Sequence, residues 1–460
     1  MRIWKLKTFP NGPFGNIFIT GGFYDPIITF DSVTLTKNGS NGNMFLVKCD
    51  PDGNVLWARN PATGGNGGAS VKTDLQGNAI VGGGFGDSIV LGSFVLRGVG
   101  SSSDIFIVKY DQSGNILWAK SAGGYDDFDD IKGLSTDASG SVYATGQSAS
   151  SFVRIDSFTI AGGNPYPFNA FVIKMNANGE VQWLKNNSIK GLSVIDIEPR
   201  IGADANGNVY IIGNFRTPFI QFDSIILYNA DTTNHNSKDF FVVKYDTNGN
   251  VIWAERGGGS TNDRIYDLAI SAIGNVFLTG YFSNTDIILG SVSLPDVIGG
   301  GCVGAGMFTI KLDSDGNFIW EKRGTGGESY CIAIDDWENV FTAGEIGCNY
   351  LSLNPFTVPR VGSGTDIFVA KLGTATAIKE TENNISISLF PNPASTQLFI
   401  QTNGIEIEQV NIYNTTGSLV MAALPQTANY KLETANFASG VYITEIKTKE
   451  GSVRKRWVKM

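Results

Sequence analysis

Large and small residues alternate along short stretches of this chain with the two-residue period of a β-strand, and the stretches recur. One block runs Asp104-Ile105-Phe106-Ile107-Val108-Lys109-Tyr110-Asp111, turns through Gln112-Ser113-Gly114-Asn115 and returns as Ile116-Leu117-Trp118. Copies of it occupy 45–57, 171–183, 241–253 and 308–320. A sixth begins at Asp366-Ile367-Phe368-Val369-Ala370-Lys371-Leu372 and stops before its tryptophan, while Ile3-Trp4-Lys5-Leu6-Lys7 has the pattern of the missing half. A second block, Asp204-Ala205-Asn206-Gly207-Asn208-Val209-Tyr210-Ile211-Ile212-Gly213, alternates with the first and recurs at 15–21, 74–83, 137–146, 271–280 and 335–344. Successive tryptophans stand 53, 61, 65, 70 and 67 residues apart, which sets the repeat at one four-stranded unit.

Each block predicts a hairpin. The Asp-x-x-Gly-Asn joint suits a type I turn followed by a left-handed glycine, with the Asp side chain accepting backbone hydrogen bonds. Two hairpins make a four-stranded antiparallel meander. Six such sheets are each too small to bury themselves, so they must stack radially as an all-β, six-bladed β-propeller over residues 1–372. The split sixth copy predicts closure by the N-terminal strand, with Trp4 beside Phe368–Leu372. Variable excursions such as Ile220–Leu227 run between the hairpins.

The repeated side chains read first as structure. Trp4, Trp57, Trp118, Trp183, Trp253 and Trp320 are expected to pack between blades. The Phe-x-x-Lys lysines, Lys48, Lys109, Lys174, Lys244, Lys311 and Lys371, are expected to pair with the acid two residues on, as Lys48 with Asp50, the alternative being an anion-binding ring. Where the repeats differ is a better guide to function. The residue after the glycine that ends the second block becomes Gln147, Asn214, Tyr281 and Glu345 in four copies, positions that form a ring on one face. These four are the candidate binding residues, with surface drift the plain alternative.

Composition changes after Leu372. Residues 373–384 are small and polar, as in a linker, and 385–460 do not repeat the propeller blocks. They contain Pro391-Asn392-Pro393, Tyr413-Asn414-Thr415-Thr416-Gly417, Ser439-Gly440-Val441-Tyr442 and a basic terminal strand with Lys455 and Lys459. In this order the segments resemble the type A sorting domain of the Bacteroidetes type IX secretion system. That resemblance implies a small, Ig-like β-sandwich read by an outer-membrane translocon, with Pro391, Asn392, Pro393, Gly417, Gly440, Tyr442, Lys455 and Lys459 as the sorting signal. It implies a secreted or surface-anchored protein. The repeats of 1–372 resemble, more loosely, bacterial SBBP-type propeller repeats, which implies the fold and no activity.

The net charge of −9 (34 basic against 43 acidic residues) disfavours a phosphate-backbone partner, so no nucleic acid is expected. No run of about 18 apolar residues predicts a membrane span. The first residues lack a signal-peptide core, so the reading expects a leader removed upstream. The four cysteines, Cys49, Cys302, Cys331 and Cys348, lack zinc spacing; one pair among the last three is a candidate disulfide, and buried thiols are the alternative. His235, the single histidine, has no Gly-x-Ser-x-Gly elbow to serve. Asp126, Asp127, Asp129 and Asp130 form the densest acidic patch, a calcium candidate or a solvated loop. No other cofactor is expected. The chemistry therefore favours a non-enzymatic, monomeric module that binds protein or glycan, and leaves open a hydrolase that uses two carboxylates.

Overall fold

The computed structural model describes residues 3–9, 15–37, 42–60, 62–99, 103–125, 129–161, 169–186, 198–231, 237–283, 287–290, 292–294, 305–335, 337–362, 364–372, 387–414, 419–449 and 451–459. Among them every regular element is a β-strand. The chain forms two compact units, Met1–Thr374 and Ala375–Met460.

The first unit is a succession of antiparallel meanders. Four strands, Asp129–Thr136, Val142–Ser148, Asn169–Met175 and Val181–Asn186, follow one another across the third sheet, and the first, second, fourth and fifth sheets contain the same four-strand order. The sixth has three strands, Gly327–Ile334, Val340–Ile346 and Asp366–Leu372. The leading strand of each sheet packs against the leading strand of the next, from the first sheet through to the sixth. These leading strands also converge. Asp267 on the fifth sheet feels both Lys72 of the second and Arg200 of the fourth, while burial, the dominant influence, pushes its carboxyl up. Leading strands from opposite parts of the series thus approach a common axis, which is the radial stacking of propeller blades.

The turns form as their sequence dictates. In the Asp-x-x-Gly-Asn joint Asp111 accepts from the N–H of Ser113 and Asn115 and from the Asn115 amide, each at 2.8 Å. Gly114 follows at φ 82°, and the register slips at Lys109/Tyr110, which is a bulged hairpin.

What joins the sheets differs from the sequence expectation. The lysines do not pair with the acid two residues on. Lys48 Nζ donates to Gln112 O (3.1 Å), Lys109 to Ala177 O (3.2 Å), Lys174 to Thr247 O (3.0 Å) and Lys244 to Ser314 O (2.6 Å). Each acceptor lies in the turn of the following sheet. The indole N–H of Trp57, Trp118, Trp183 and Trp253 donates to that same carbonyl, at 3.0 to 3.1 Å. Lysine and tryptophan are directly opposite in the register, so they reach the target together. Each ammonium also sits over an aromatic ring where its own second strand supplies one: Phe18 for Lys48 at 5.6 Å, Tyr143 for Lys174 at 5.3 Å and Tyr210 for Lys244 at 5.2 Å. Lys109, whose sheet has Ile80 there, pairs instead with buried Asp74 at 2.9 Å. At the fifth sheet Lys311 meets Glu338 of the sixth at 2.5 Å, because Glu338 takes the left-handed turn position that glycine fills elsewhere.

The predicted closure is not formed. Ile3–Phe9, including Trp4, pairs antiparallel with Ile17–Phe23 as the leading strand of the first sheet, and Asp366–Leu372 pairs only with Val340–Ile346. The connector between Phe9 and Ile17 is short, so the segment folds back on its neighbour.

The second unit contains a three-stranded sheet, Ile387–Phe390, Gln397–Thr402 and Asn429–Glu433, and a four-stranded one, Leu419–Ala423, Ile407–Asn414, Gly440–Thr448 and Gly451–Lys459. Their alternate residues, Leu398, Ile400, Val410, Ile412, Ile446 and Trp457, form its core. The linker call at 373–384 lies outside the described residues.

The tryptophans lie on the turn glycines of the following sheet, and a Cβ on Gly179 would fall 2.7 Å from the Trp118 ring, whereas Gly53 has open space around it. Both glycines have positive φ, 81° and 89°, so the backbone strain of an alanine is common to both. Gly179→Ala is expected to destabilise the full chain by about 1–3 kcal/mol more than Gly53→Ala, read from chemical-denaturation midpoints. Equal losses would remove the indole contact from the account.

Candidate functional site

The four candidate positions occupy equivalent places on the second strands: Gln147 opposite Ala170, Asn214 opposite Phe240, Tyr281 opposite Met307 and Glu345 opposite Ile367. Equivalent place does not mean equivalent use. Asn214 is buried, and its amide brackets Ile265 of the fifth sheet, donating to Ile265 O at 3.0 Å and accepting from Ile265 N at 2.8 Å. Asn214 ties the fourth sheet to the fifth. Gln147 faces Asp130, whose carboxylate is already held by Lys132 at 2.8 Å.

Tyr281 and Glu345 mark a richer region, where the leading strands of the fifth and sixth sheets meet. Tyr281 is opposite Arg264 and Glu345 is opposite Glu328. Tyr266 donates its hydroxyl to Glu328 Oε2 at 2.8 Å, and its ring meets Tyr330 edge-on, with centroids 5.0 Å apart. Tyr330 bonds Glu345 and is 40% exposed. Burial, then the neighbouring glutamates, raise both phenols well above the ordinary tyrosine value, with Arg264 opposing this at Tyr266. Both hydroxyls therefore remain protonated donors at any physiological pH, beside two carboxylate acceptors. The sequence ring pointed to Tyr281 and Glu345 only. Tyr266, Glu328 and Tyr330 belong to leading strands that carry no repeated block, so their one legible signal was a charged residue two positions before a tyrosine, as Arg264 before Tyr266 and Glu328 before Tyr330.

The acidic patch divides. Asp129 and Asp130 are adjacent on one strand and point to opposite faces. Asp129 is fully buried and accepts from Gly124 N (2.8 Å) and Ser150 Oγ (3.1 Å). Asp126, Asp127 and His235 lie outside the described residues. Among the described residues no three His, Cys, Asp or Glu side chains gather to hold a metal. The turns at Asp50 and Asp313 use their carboxylates on their own backbone, Asp50 on Asn54 N at 2.8 Å and Asp313 on Asn317 N at 2.8 Å. Cys348 is disulfide-bonded, Cys49 and Cys331 carry thiols, and Cys302 lies outside the described residues. A pocket of about 280 Å³ on the outer side of the fourth and fifth sheets is lined by Glu255, Leu289, Gly290, Asn317 and Phe318 among others; its one carboxylate, Glu255, is pushed up by burial.

In the second unit the Pro391-Asn392-Pro393 loop is pinned to the last strand. Asn392 Oδ1 accepts from Val458 N at 2.9 Å, and Ala394 N donates to Val458 O at 2.7 Å. Tyr442 stacks on Trp457 at 5.0 Å, and Trp457 Nε1 donates to Thr444 Oγ1 at 2.9 Å. Lys455 is exposed and Lys459 is buried, while Gly417 lies outside the described residues.

Residues 388–460 match the family described as the secretion system C-terminal sorting domain. The second unit is thus a sorting domain, and the chain is a type IX secretion cargo destined for the cell surface. Among the described residues no helix is long and apolar enough to cross a membrane. A curated relative, an uncharacterized WD repeat-containing protein of Acanthamoeba polyphaga mimivirus, is 27% identical over 205 residues, 40% of this chain and 14% of that protein. The chain therefore spans a small part of that relative's length. Among solved structures, the Dos1 propeller aligns with 99% of this chain and 94% of its own at 9% identity and a TM-score of 0.34. A Bacteroides caccae protein of unknown function aligns with 61% of this chain and 89% of its own at 11% identity and a TM-score of 0.29. PorZ, a surface component of the type IX secretion system of Porphyromonas gingivalis, covers 99% and 91% at 11% identity and a TM-score of 0.17. At these scores none of the three fixes the fold.

Because Asn214 satisfies two backbone groups across a sheet boundary, Asn214→Ala is expected to cost about 2–3 kcal/mol. Tyr330→Ala, at a partly exposed position, is expected to cost about 1 kcal/mol. Thermal melts of the two variants check the order, and a reversed order would make Asn214 the surface residue and Tyr330 the structural one.

Proposed function

We propose that the repeat unit is a non-enzymatic binding module that recognises a glycan at the cell surface through Tyr266, Tyr281, Glu328, Tyr330 and Glu345. The observation that carries the reading is the alternation, at one exposed end of two adjacent sheets, of fixed phenol donors with carboxylate acceptors. Sugar hydroxyls both donate and accept, and their C–H faces pack on aromatic rings, so this surface complements them. An acidic body delivered outside the cell suits a neutral or cationic saccharide better than an anionic one.

On the same reading the six sheets are SBBP-type blades of one propeller, and the producing cell is a Bacteroidetes bacterium whose translocon reads the sorting domain. The strand order, the repeat motif and the sorting-domain family support this.

Glycan-array binding by the full chain tests the proposal. Glu345→Gln and Tyr330→Ala are each expected to weaken binding about tenfold or more, with melting temperatures close to the parent's. Binding that survives both substitutions would move the site elsewhere, and an array without signal would favour a protein ligand.

One observation favours a second reading. Glu328 and Glu345 are opposite partners on neighbouring strands, so their carboxyl groups approach the separation of about 5 Å used by retaining glycosidases. Release of reducing sugar, abolished by Glu328→Gln, would establish hydrolysis in place of binding.

A further inference from the structure

Two junctions in the repeat unit have the same construction, and one charge distinguishes them. At the junction of the fourth and fifth sheets, Asp239 opens a third strand and Asp263 precedes the next leading strand. Asp239 Oδ2 accepts from Ala230 N at 2.7 Å, Asp263 Oδ2 accepts from Gly259 N at 2.7 Å, and Asp263 N donates to Lys238 O at 2.8 Å. At the junction of the second and third sheets, Asp104 and Asp129 take these places. Asp104 Oδ2 accepts from Val99 N, Asp129 Oδ2 accepts from Gly124 N, and Asp129 N donates to Ser103 O at 2.9 Å. All four carboxylates are buried to 98% or more.

The difference is the counter-charge. Arg256, opposite Phe241 in the register, donates to Asp239 Oδ2 at 2.9 Å and lies within reach of Asp263. Its equivalent in the second sheet, opposite Phe106, is Ser121. No basic side chain is among the groups acting on Asp104 or Asp129. Instead burial raises each to about 6, and the charge of Asp104 adds to the rise at Asp129. Both carboxylates draw on the Gly124 N–H, which places them side by side. Asp104 Oδ1 and Asp129 Oδ1 are both buried and lack a hydrogen-bond partner, whereas at the sister junction only Asp239 Oδ1 does, Asp263 Oδ1 accepting from Ser283 N at 3.3 Å. Two buried acids with two unpartnered oxygens and no basic partner among the described residues are costly as they stand.

We infer that the junction of Asp104 and Asp129 is a divalent-cation site that takes calcium where the sister junction uses Arg256. The donor set is oxygen only: two carboxylates, with the hydroxyls of Ser148 and Ser150 adjacent on Asp129. Hard oxygen ligands of mixed charge suit calcium, whereas the near-ideal octahedron and retained waters of magnesium do not suit a buried junction. The ion would bridge the third strand of one sheet to the leading strand of the next, so its effect is on stability. It is independent of the glycan surface on the fifth and sixth sheets.

The test is calcium binding to the EDTA-treated full chain by equilibrium dialysis, with thermal melts in parallel. The parent is expected to bind one calcium per chain and to gain about 3–5 °C in melting temperature at a hundredfold excess over Kd. Magnesium at the same concentration is expected to give a smaller shift. Asp104→Asn should abolish binding. Ser121→Arg should abolish it while the EDTA-treated variant melts at or above the parent, because the guanidinium then supplies the charge; this variant carries the test if Asp104→Asn does not fold. No calcium bound by the parent at millimolar concentration would overturn the inference. So would a bound calcium retained in both variants.

Discussion

A single backbone carbonyl in each turn holds one sheet to the next. It accepts two donors from the preceding sheet, a tryptophan indole N–H and a lysine ammonium, with the indole lying on the turn's glycine. Each part constrains the others. The turn must be bulged for its carbonyl to face outward, the glycine must lack a Cβ, and lysine and tryptophan must be cross-strand partners. A charged donor to a neutral carbonyl in a partly desolvated place contributes on the order of 1.5–3 kcal/mol. Four consecutive junctions of this kind supply much of what four-stranded sheets cannot gain by themselves. The same lock explains why the repeat varies freely in its excursions and little in its turns.

The ends of the series show what happens where the lock changes. At the last junction the lysine contact becomes an ion pair with Glu338, which stands in the other turn of the sheet, at the place of Gly207 and Gly274. At the first sheet, among the described residues no indole lies on the turn of Asp50, where Gly53 faces open space. The outward face of the sixth sheet leaves Ile367 and Val369 88% and 77% exposed, although their counterparts Ile105 and Ile107 are buried. The residues of the proposed glycan surface gather beside this last junction. Tyr330 and Glu345 belong to a sheet packed on one side, so their surroundings are free of the packing demands that fix Asn214.

Local chemistry made much of this legible in the sequence. Hairpins and bulged turns follow from residues a few positions apart, as Asp111 accepting from Ser113 and Asn115. Contacts between distant parts of the chain were harder to read. Lys48 reaches Gln112, 64 positions away, in preference to the nearby Asp50, because the next turn is brought to it by folding. The pattern of Ile3-Trp4-Lys5 matches an outer strand, yet the short connector makes it a leading strand. Asp129 and Asp130 read as one patch, but strand alternation separates them, and the true neighbour of Asp129 is Asp104. The tyrosine–glutamate surface was half visible, through Tyr281 and Glu345, because only the second strands carry a motif against which variation can be seen. The sorting domain was legible throughout, since its signals lie in sequence order.

The central claim is that indole and ammonium act as a unit on one carbonyl, and a double-mutant cycle at one junction tests it most directly. With Trp183→Phe, Lys174→Met and the double variant, unfolding free energies should give a coupling of about 0.5–3 kcal/mol, the range for residues that share a partner. Strict additivity, with both single losses present in full in the double variant, would show that the two donors act independently and contradict the account.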